Sequence, residues 1–436
     1  MTQVLARYLL NLAGTLALGL LLLPAAGIAQ DKEFRVGVLY DLTGPNGDSG
    51  GRAAAIGTQL AIELINARGG VEGYKIVPMS ADAKSDTETA VAEAKRLIAE
   101  EDVQVVMGMN TSAHCMTVAP LMNAQKRFLW LNVCIASAVL KDRGYSYVFR
   151  PTNDSDQVGT ASCEFLAAHA EDSLGFKPDA LRVAIIYEDG IYGAGVAQTN
   201  ERVCKALGVQ IVLTESFSNG ASDLSGLIQD MKKAQPHVVL HTAYRPEVEL
   251  FLRQAAELDL NFDALVGQGA GYAQVDALIE KFGDEINHVY NVDTASAQAI
   301  EPSKLAPGLG EVTKQLVDHY KAETGGSDVP SHASQGFNNA WIFLTDVLPR
   351  AIKDHGGTVP EALRKSALET DIQEGGTIQG FGVKFYGAAE PMEGQNARAF
   401  PTVMQYRDGK TEIVWPEALR SSTPILPLPA GHPYAR

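Results

Sequence analysis

Asn110, Thr111 and Ser112 follow the apolar run Val103–Met107 and Gly108-Met109, and they precede a stretch that reads as a helix start. A buried parallel strand ending there puts these side chains beside the unpaired N–H groups of the following helix. Backbone donors and the helix dipole favour a carboxylate or phosphate at such a place, and Ser112 adds a hydroxyl donor. The plainer reading is that Thr111 or Ser112 caps its own helix.

Two other groupings suggest chemistry. Gly47-Asp-Ser-Gly-Gly51 fits the G-x-S-x-G nucleophile elbow, but Ser49 precedes every histidine, against the trypsin-like order, and the strand before it ends near Tyr40. A loop facing a ligand is the better expectation, with a secreted hydrolase using Ser49 as the rival. His114-Cys115-Met116, with Cys134 downstream, offers soft Cu(I) ligands, yet adjacent residues on a helix point in different directions. A disulfide beside a packed methionine is the better account, and neither a metal nor a cofactor is expected. HExxH, a Walker A loop and CxxC do not occur.

Arg7 is the only charged residue before Asp31, and the dense apolar run Leu16–Leu23 leads to Pro24 and the small residues Ala25–Ala29. This reads as a secretory signal peptide over residues 1–29, cut after Ala29, and the address as the periplasm. A retained anchor is the alternative, since Tyr8–Gln30 carries no charge. No cysteine follows the run, so no lipid anchor is expected. With 52 Asp+Glu against 36 Lys+Arg, the chain is a poor partner for nucleic acid or anionic membranes. Cys115, Cys134, Cys163 and Cys204 allow three pairings in an oxidising compartment. Joining Cys115 to Cys134 and Cys163 to Cys204 keeps each bridge local, while buried free thiols remain the alternative.

The positioning elements alternate. Phe34–Tyr40 and Tyr74–Ser80 read as strands around a helix at Gly51–Ala67, and Ser85-Asp-Thr-Glu88 reads as a capping box. Phe128–Val133 is a further strand, ending at Cys134-Ile-Ala-Ser137. After Tyr147–Asp154 the pattern restarts, with strands at Val183–Glu188, Gln210–Ser216, Val238–Thr242 and Ala264–Gly267. Alternating βα units imply an α/β fold of doubly wound sheets, with ligands beyond the carboxyl ends of the strands. Long helical segments at Gly308–Glu323 and Ser331–Asp354, possible hairpins at Ile378–Gly387 and Thr402–Trp415, and a proline-rich arm complete the chain.

Several segments together resemble the type I periplasmic solute-binding proteins of the branched-chain amino acid (Leu/Ile/Val) transport class: Arg35–Pro45, Gly57–Asn66, Phe149-Arg150 with Asp154–Gln157, Tyr192-Gly193 and Asp223–Leu240. The resemblance implies two Rossmann-like lobes joined by a three-crossing hinge, closing on a small solute delivered to an inner-membrane ABC permease. A sensor presenting the same fold to a membrane partner is the alternative. It implies lobe 1 at 31–150 plus 294–373, lobe 2 at 151–293 plus 374–415, and an arm at 416–436. The crossings are expected near Phe149–Thr152, Val292–Thr294 and Ile372–Gly376. Carried over residue by residue, Ser112 with Thr111, and the Cys134–Ser137 loop through Ala136 and Ser137, hold a ligand carboxylate; Tyr192 and Tyr244 face the ligand from lobe 2. The loop Gly267-Gln-Gly-Ala-Gly271 departs from the family by lacking a glutamate for a ligand ammonium. Gln268 stands there instead, and Asp154 is the candidate substitute. Amino acids, aromatic or aliphatic carboxylates, amides and urea-like solutes therefore all remain open.

Overall fold

The computed structural model describes residues 32–436, so the signal peptide expected at 1–29 lies outside them. In the first lobe, β1 (Lys32–Tyr40), β2 (Tyr74–Asp82), β3 (Val105–Gly108), β4 (Phe128–Leu131) and β5 (Val148–Phe149) form a parallel sheet ordered β2-β1-β3-β4-β5. Between them run α1 (Arg52–Ala67), α2 (Thr87–Ala99) and α3 (Ser112–Ala124). The helix α2 is capped by Asp86, which accepts from Thr89 N–H, one residue later than the expected Ser85; the Ser85 hydroxyl instead bonds Thr43 O at 2.9 Å.

The second lobe holds α4 (Ser155–His169), β6 (Arg182–Glu188), α5 (Ile191–Ala206), β7 (Gln210–Phe217), α6 (Ser225–Ala234), β8 (Val238–Thr242), α7 (Arg245–Glu257), β9 (Ala264–Gln268), α8 (Val275–Phe282) and β10 (Tyr290–Asp293). Its sheet runs β12-β11-β10-β9-β8-β6-β7, with the hairpin β11 (Thr402–Arg407) and β12 (Lys410–Trp415) antiparallel at one edge. In each sheet the chain leaves one strand for a neighbour on one side and then for a neighbour on the other: β1 between β2 and β3, and β6 between β7 and β8. Helices diverge at such switch points, which leaves a crevice past the strand ends.

After β10 the chain returns to the first lobe as α9 (Leu309–Thr324), α10 (Ser331–Ile342), α11 (Leu348–Asp354) and α12 (Pro360–Leu368). The α10 helix lies almost backbone to backbone on α1: a Cβ at Gly57 would sit 2.0 Å from Ala333 O, and one at Gly336 2.0 Å from Ala54 O. Only glycine permits that approach, and it aims the first turn of α10 at the strand ends. Ile378, Phe381, Val383 and Phe385 pack into the first lobe's core with Phe128, Trp130 and Phe149. The third crossing therefore falls at Phe400–Thr402, where β11 begins, and not at Ile372–Gly376; residues 374–399 belong to the first lobe. The Ile378–Gly387 segment makes only isolated bridges, Ile372 with Val383 and Phe385 with Asn396. The proline-rich arm lacks regular structure but ends in a buried anchor, Tyr434, stacked on Phe262 and donating its hydroxyl to Leu252 O at 3.0 Å.

Candidate functional site

Residues from both switch points and from the second crossing meet in one small cavity. Asn110, Ser112, Val133, Ile135 and His332 line it from the first lobe, Tyr192, Tyr244, Gly269 and Ala270 from the second, and Asp293 from the crossing between them. It encloses about 20 Å³, room for roughly one water and far below the ~300–1,000 Å³ of ligand pockets. The two lobes thus leave little space between them at this point. A larger crevice of about 760 Å³ opens beside it past Asp48, Gln274 and Lys321, but neither Ser112 nor the two tyrosines lines it.

The first-lobe half is built around the start of α3, which no side chain caps. Thr111 turns away, donating its hydroxyl to buried Asp41 at 3.0 Å, so it holds the β1 and β3 ends together and does not line the cavity. Ser112 accepts the N–H of Ala136 at 3.1 Å, which leaves its own hydroxyl proton free to donate. Ala136 therefore acts through Ser112: its N–H is engaged there, and its carbonyl takes the buried Arg150 guanidinium at 2.9 Å. The disulfide Cys115–Cys134, Cα atoms 6.3 Å apart, ties this helix turn to the same loop. Asn110 Oδ1 and His332 Nδ1 are buried with no hydrogen-bond partner.

In the second-lobe half, Tyr192 sits in the first turn of α5, its hydroxyl donating to Gln268 O and accepting Ala270 N–H at 3.2 Å. Burial, with the charges of Asp293 and Glu188, raises its pKa far above the ordinary tyrosine value, so the hydroxyl stays a donor. The Tyr244 ring lies 5.3 Å from that of Tyr192. Gln268, offered by the sequence as a ligand group, faces the core instead. Its amide exchanges two hydrogen bonds with Asn200, accepts Thr242 Oγ1 at 2.7 Å and donates to Ser162 Oγ at 2.7 Å.

Two more expected contacts lie elsewhere. Ser137 bonds Ser155 Oγ at 2.9 Å and accepts Asp156 N–H, so it braces the start of α4. Asp154 is the N-cap of α4 in a reciprocal capping box with Gln157, 3.8 Å from Arg150. Burial raises the Asp154 pKa, with Arg150 pulling the other way; burial lowers Arg150 to about 10. The carboxylate that does line the cavity, Asp293, and its neighbour His332 were missed. Both come from positions beyond the second crossing or on it, where periodicity carries no signal for a site.

Across the seam, Ser49 accepts the first N–H of α7, that of Arg245, at 3.3 Å, and Asp48 lies 3.5 Å from the Arg245 guanidinium. The Ser49 hydroxyl thus caps a helix of the other lobe, and no histidine is among its hydrogen-bond partners. Gly50, at φ +122°, packs on His332: a Cβ there would lie 1.7 Å from Nδ1. No group of three or more His, Cys, Asp or Glu suited to a metal occurs among the described residues. Cys163 and Cys204 form the second disulfide, as the local pairing predicted.

A family model described as "Periplasmic binding protein" matches residues 33–389. The Leu/Ile/Val-binding protein homolog 7 of Brucella suis biovar 1 is 31% identical over 412 residues, 94% of this chain and 98% of that protein. Among solved structures, the branched-chain amino acid transporter substrate-binding protein LivJ from Streptococcus pneumoniae, in complex with isoleucine, aligns with a TM-score of 0.71 at 19% identity, over 88% of this chain and 100% of that one. A solute-binding protein of an ABC transporter from R. palustris, in complex with benzoate, aligns with a TM-score of 0.71 at 16% identity, over 90% and 98%.

Proposed function

The chain belongs to the periplasmic binding protein family, and from that membership and the interlobe cavity we infer that it serves an ABC importer by closing on a small organic carboxylate. The observation that carries this reading is the cavity itself, lined from both lobes, with Asn110 among its lining residues keeping a buried Oδ1 without a partner. Buried polar atoms are nearly always paired, so an unpaired one at a seam marks where a solute's polar group fits. The ligand carboxylate takes the Ser112 hydroxyl and the uncapped N–H groups of α3. Val133, Ile135 and the Tyr192–Tyr244 pair contact its apolar part.

Closure is the working step. The solute supplies contacts to both strand-end sets at once, and only the shut state makes all of them. The permease reads that state at the inner membrane, and the ligand is released unchanged. The names of the Brucella relatives and the isoleucine and benzoate of the structural neighbours support amino acids and aromatic acids as the first ligands to try.

The test is a thermal-shift screen of residues 30–436 against amino acids and aromatic or aliphatic carboxylates, followed by calorimetry and small-angle scattering. A ligand at 100 times its Kd adds about 2.7 kcal/mol of stability and compacts the particle. If no carboxylate raises the melting temperature at millimolar concentration, the reading fails.

A further inference from the structure

We infer that Asp293 sets which carboxylates the site accepts, by taking an N–H-bearing group of the solute, an ammonium or an amide. This rests on the interlobe site proposed above and names the solute's second polar group. Asp293 ends β10 at the crossing between the lobes, is 3% exposed, and is the only carboxylate among the described residues that line the cavity. Its two oxygens differ. Oδ1 accepts Thr294 N–H at 2.7 Å and the Gln335 amide at 3.1 Å, which fixes the group. Oδ2 has only His332 Nε2 and Ser331 Oγ, each at 3.5 Å, the long limit of a hydrogen bond, and so retains accepting capacity.

A second unmet acceptor, Asn110 Oδ1, lines the same cavity. A plain carboxylate brings acceptors alone: it would leave Asn110 Oδ1 without a donor and Asp293 Oδ2 with only its two long contacts, and set two carboxylates in one small enclosure. A solute with an N–H group supplies the missing donor, and an ammonium also offsets the repulsion between the two carboxylates. The acids that could otherwise do this are elsewhere, since Asp154 caps α4 and the Gly267–Gly271 loop carries no acid.

The experiment is calorimetry on the mature protein with matched pairs: leucine against 4-methylpentanoate, phenylalanine against 3-phenylpropanoate, the N-carbamoyl derivatives of both amino acids, and benzoate. The expected result is that the best N–H-bearing acid binds about 30-fold or more tightly than its partner lacking the group, about 2 kcal/mol. N-carbamoyl acids retaining that advantage assign the group as a neutral amide, and their losing it as an ammonium. Asp293→Asn should shrink the ratio several-fold while leaving the plain acids no weaker. The ratio in the unmodified protein needs no variant, so misfolding of Asp293→Asn would not shield the proposal. Benzoate or a desamino acid binding as well as the N–H-bearing acids overturns the assignment to Asp293 but leaves the carboxylate reading standing. Failure of every acid in the set removes the carboxylate reading and this inference together.

Discussion

The two lobes meet at one cavity but equip it differently. The first lobe brings groups with unused hydrogen-bonding capacity: the Ser112 proton, Asn110 Oδ1 and His332 Nδ1. The second brings groups already engaged at home, with Tyr192 held by Gln268 O and Ala270 N–H, and Gln268 locked by Ser162, Asn200 and Thr242. Each half is backed by a disulfide. Cys115–Cys134 joins the α3 turn to the Ala136 loop, and Cys163–Cys204 joins α4 to α5, the helices that carry Ser162 and Asn200. In the proposed site the difference becomes a division of labour: the first lobe's Ser112 proton takes the solute's carboxylate, Tyr192 and Tyr244 give a rigid wall for its apolar part, and Asp293 stands between them at the crossing.

The strongest way to break that contrast is Gln268→Ala. It removes four buried hydrogen bonds and leaves Asn200, Thr242 and Ser162 facing a hole. A loss of about 3–5 kcal/mol in denaturant unfolding is expected. Unchanged stability with lost ligand binding would instead put Gln268 in the grip and erase the distinction between the lobes.

The second lobe should also weaken in acid. Burial pushes the pKa of His241, in the second lobe's core against the Tyr272 hydroxyl at 2.7 Å, down from 6.5 to about 3. The folded state therefore keeps it neutral, while the unfolded chain takes up a proton below pH 6.5. Its contribution is complete above pH 6.5 and is lost progressively as pH falls toward 3. Glu188 and Glu247, raised by burial in the same lobe, act with the opposite sign, adding stability as pH falls toward 4.5. Comparison with His241→Asn isolates the histidine: between pH 7 and 4.5 the native protein should lose about 2–3 kcal/mol more than the variant. Parallel pH curves would show that the imidazole charges inside the fold.

Ser112→Ala sharpens the first-lobe side. Affinity for a carboxylate should fall by about 1–3 kcal/mol, because a buried charge loses a donor and the Ala136 N–H loses its acceptor. Full affinity in calorimetry would reduce Ser112 to a brace for the Ala136 loop.

These contrasts were only partly legible beforehand. The two-lobe architecture, the strand ends and both disulfides follow from local patterns: apolar runs, glycine breaks and cysteine spacing all act over a few residues. Ser112, Tyr192 and Tyr244 were singled out because each lies just past a strand end and matches a family position, and all three line the cavity. Gln268 misled, since its partners Ser162, Asn200 and Thr242 are far apart in the chain and nothing local says which way its amide turns. Asp154 misled for the converse reason, its role being set by Gln157 three residues on, a cap that competes with any ligand. His332 was invisible because the close α1–α10 contact at Gly57 and Gly336, a packing event, is what brings it to the cavity, and Asp293 because it lies on a crossing where periodicity carries no signal.

The smallest effect concerns the seam, where the division of labour must be suspended for the lobes to shut. Ser49 Oγ accepts the N–H of Arg245 at the start of α7, whose own N-cap, Tyr244, supplies no side-chain bond. That hydrogen bond spans the lobes, so only the closed state can contain it. Ser49→Ala should leave the unfolding free energy of each lobe nearly untouched and raise the ligand dissociation rate about two- to fivefold, the effect of a net hydrogen bond of ~0.5–1 kcal/mol. Association should hardly change, because the open state that meets the solute never made the bond. Were the association rate to fall instead, Ser49 would have to be acting in the open form, and the seam would belong to recognition along with the first lobe's grip.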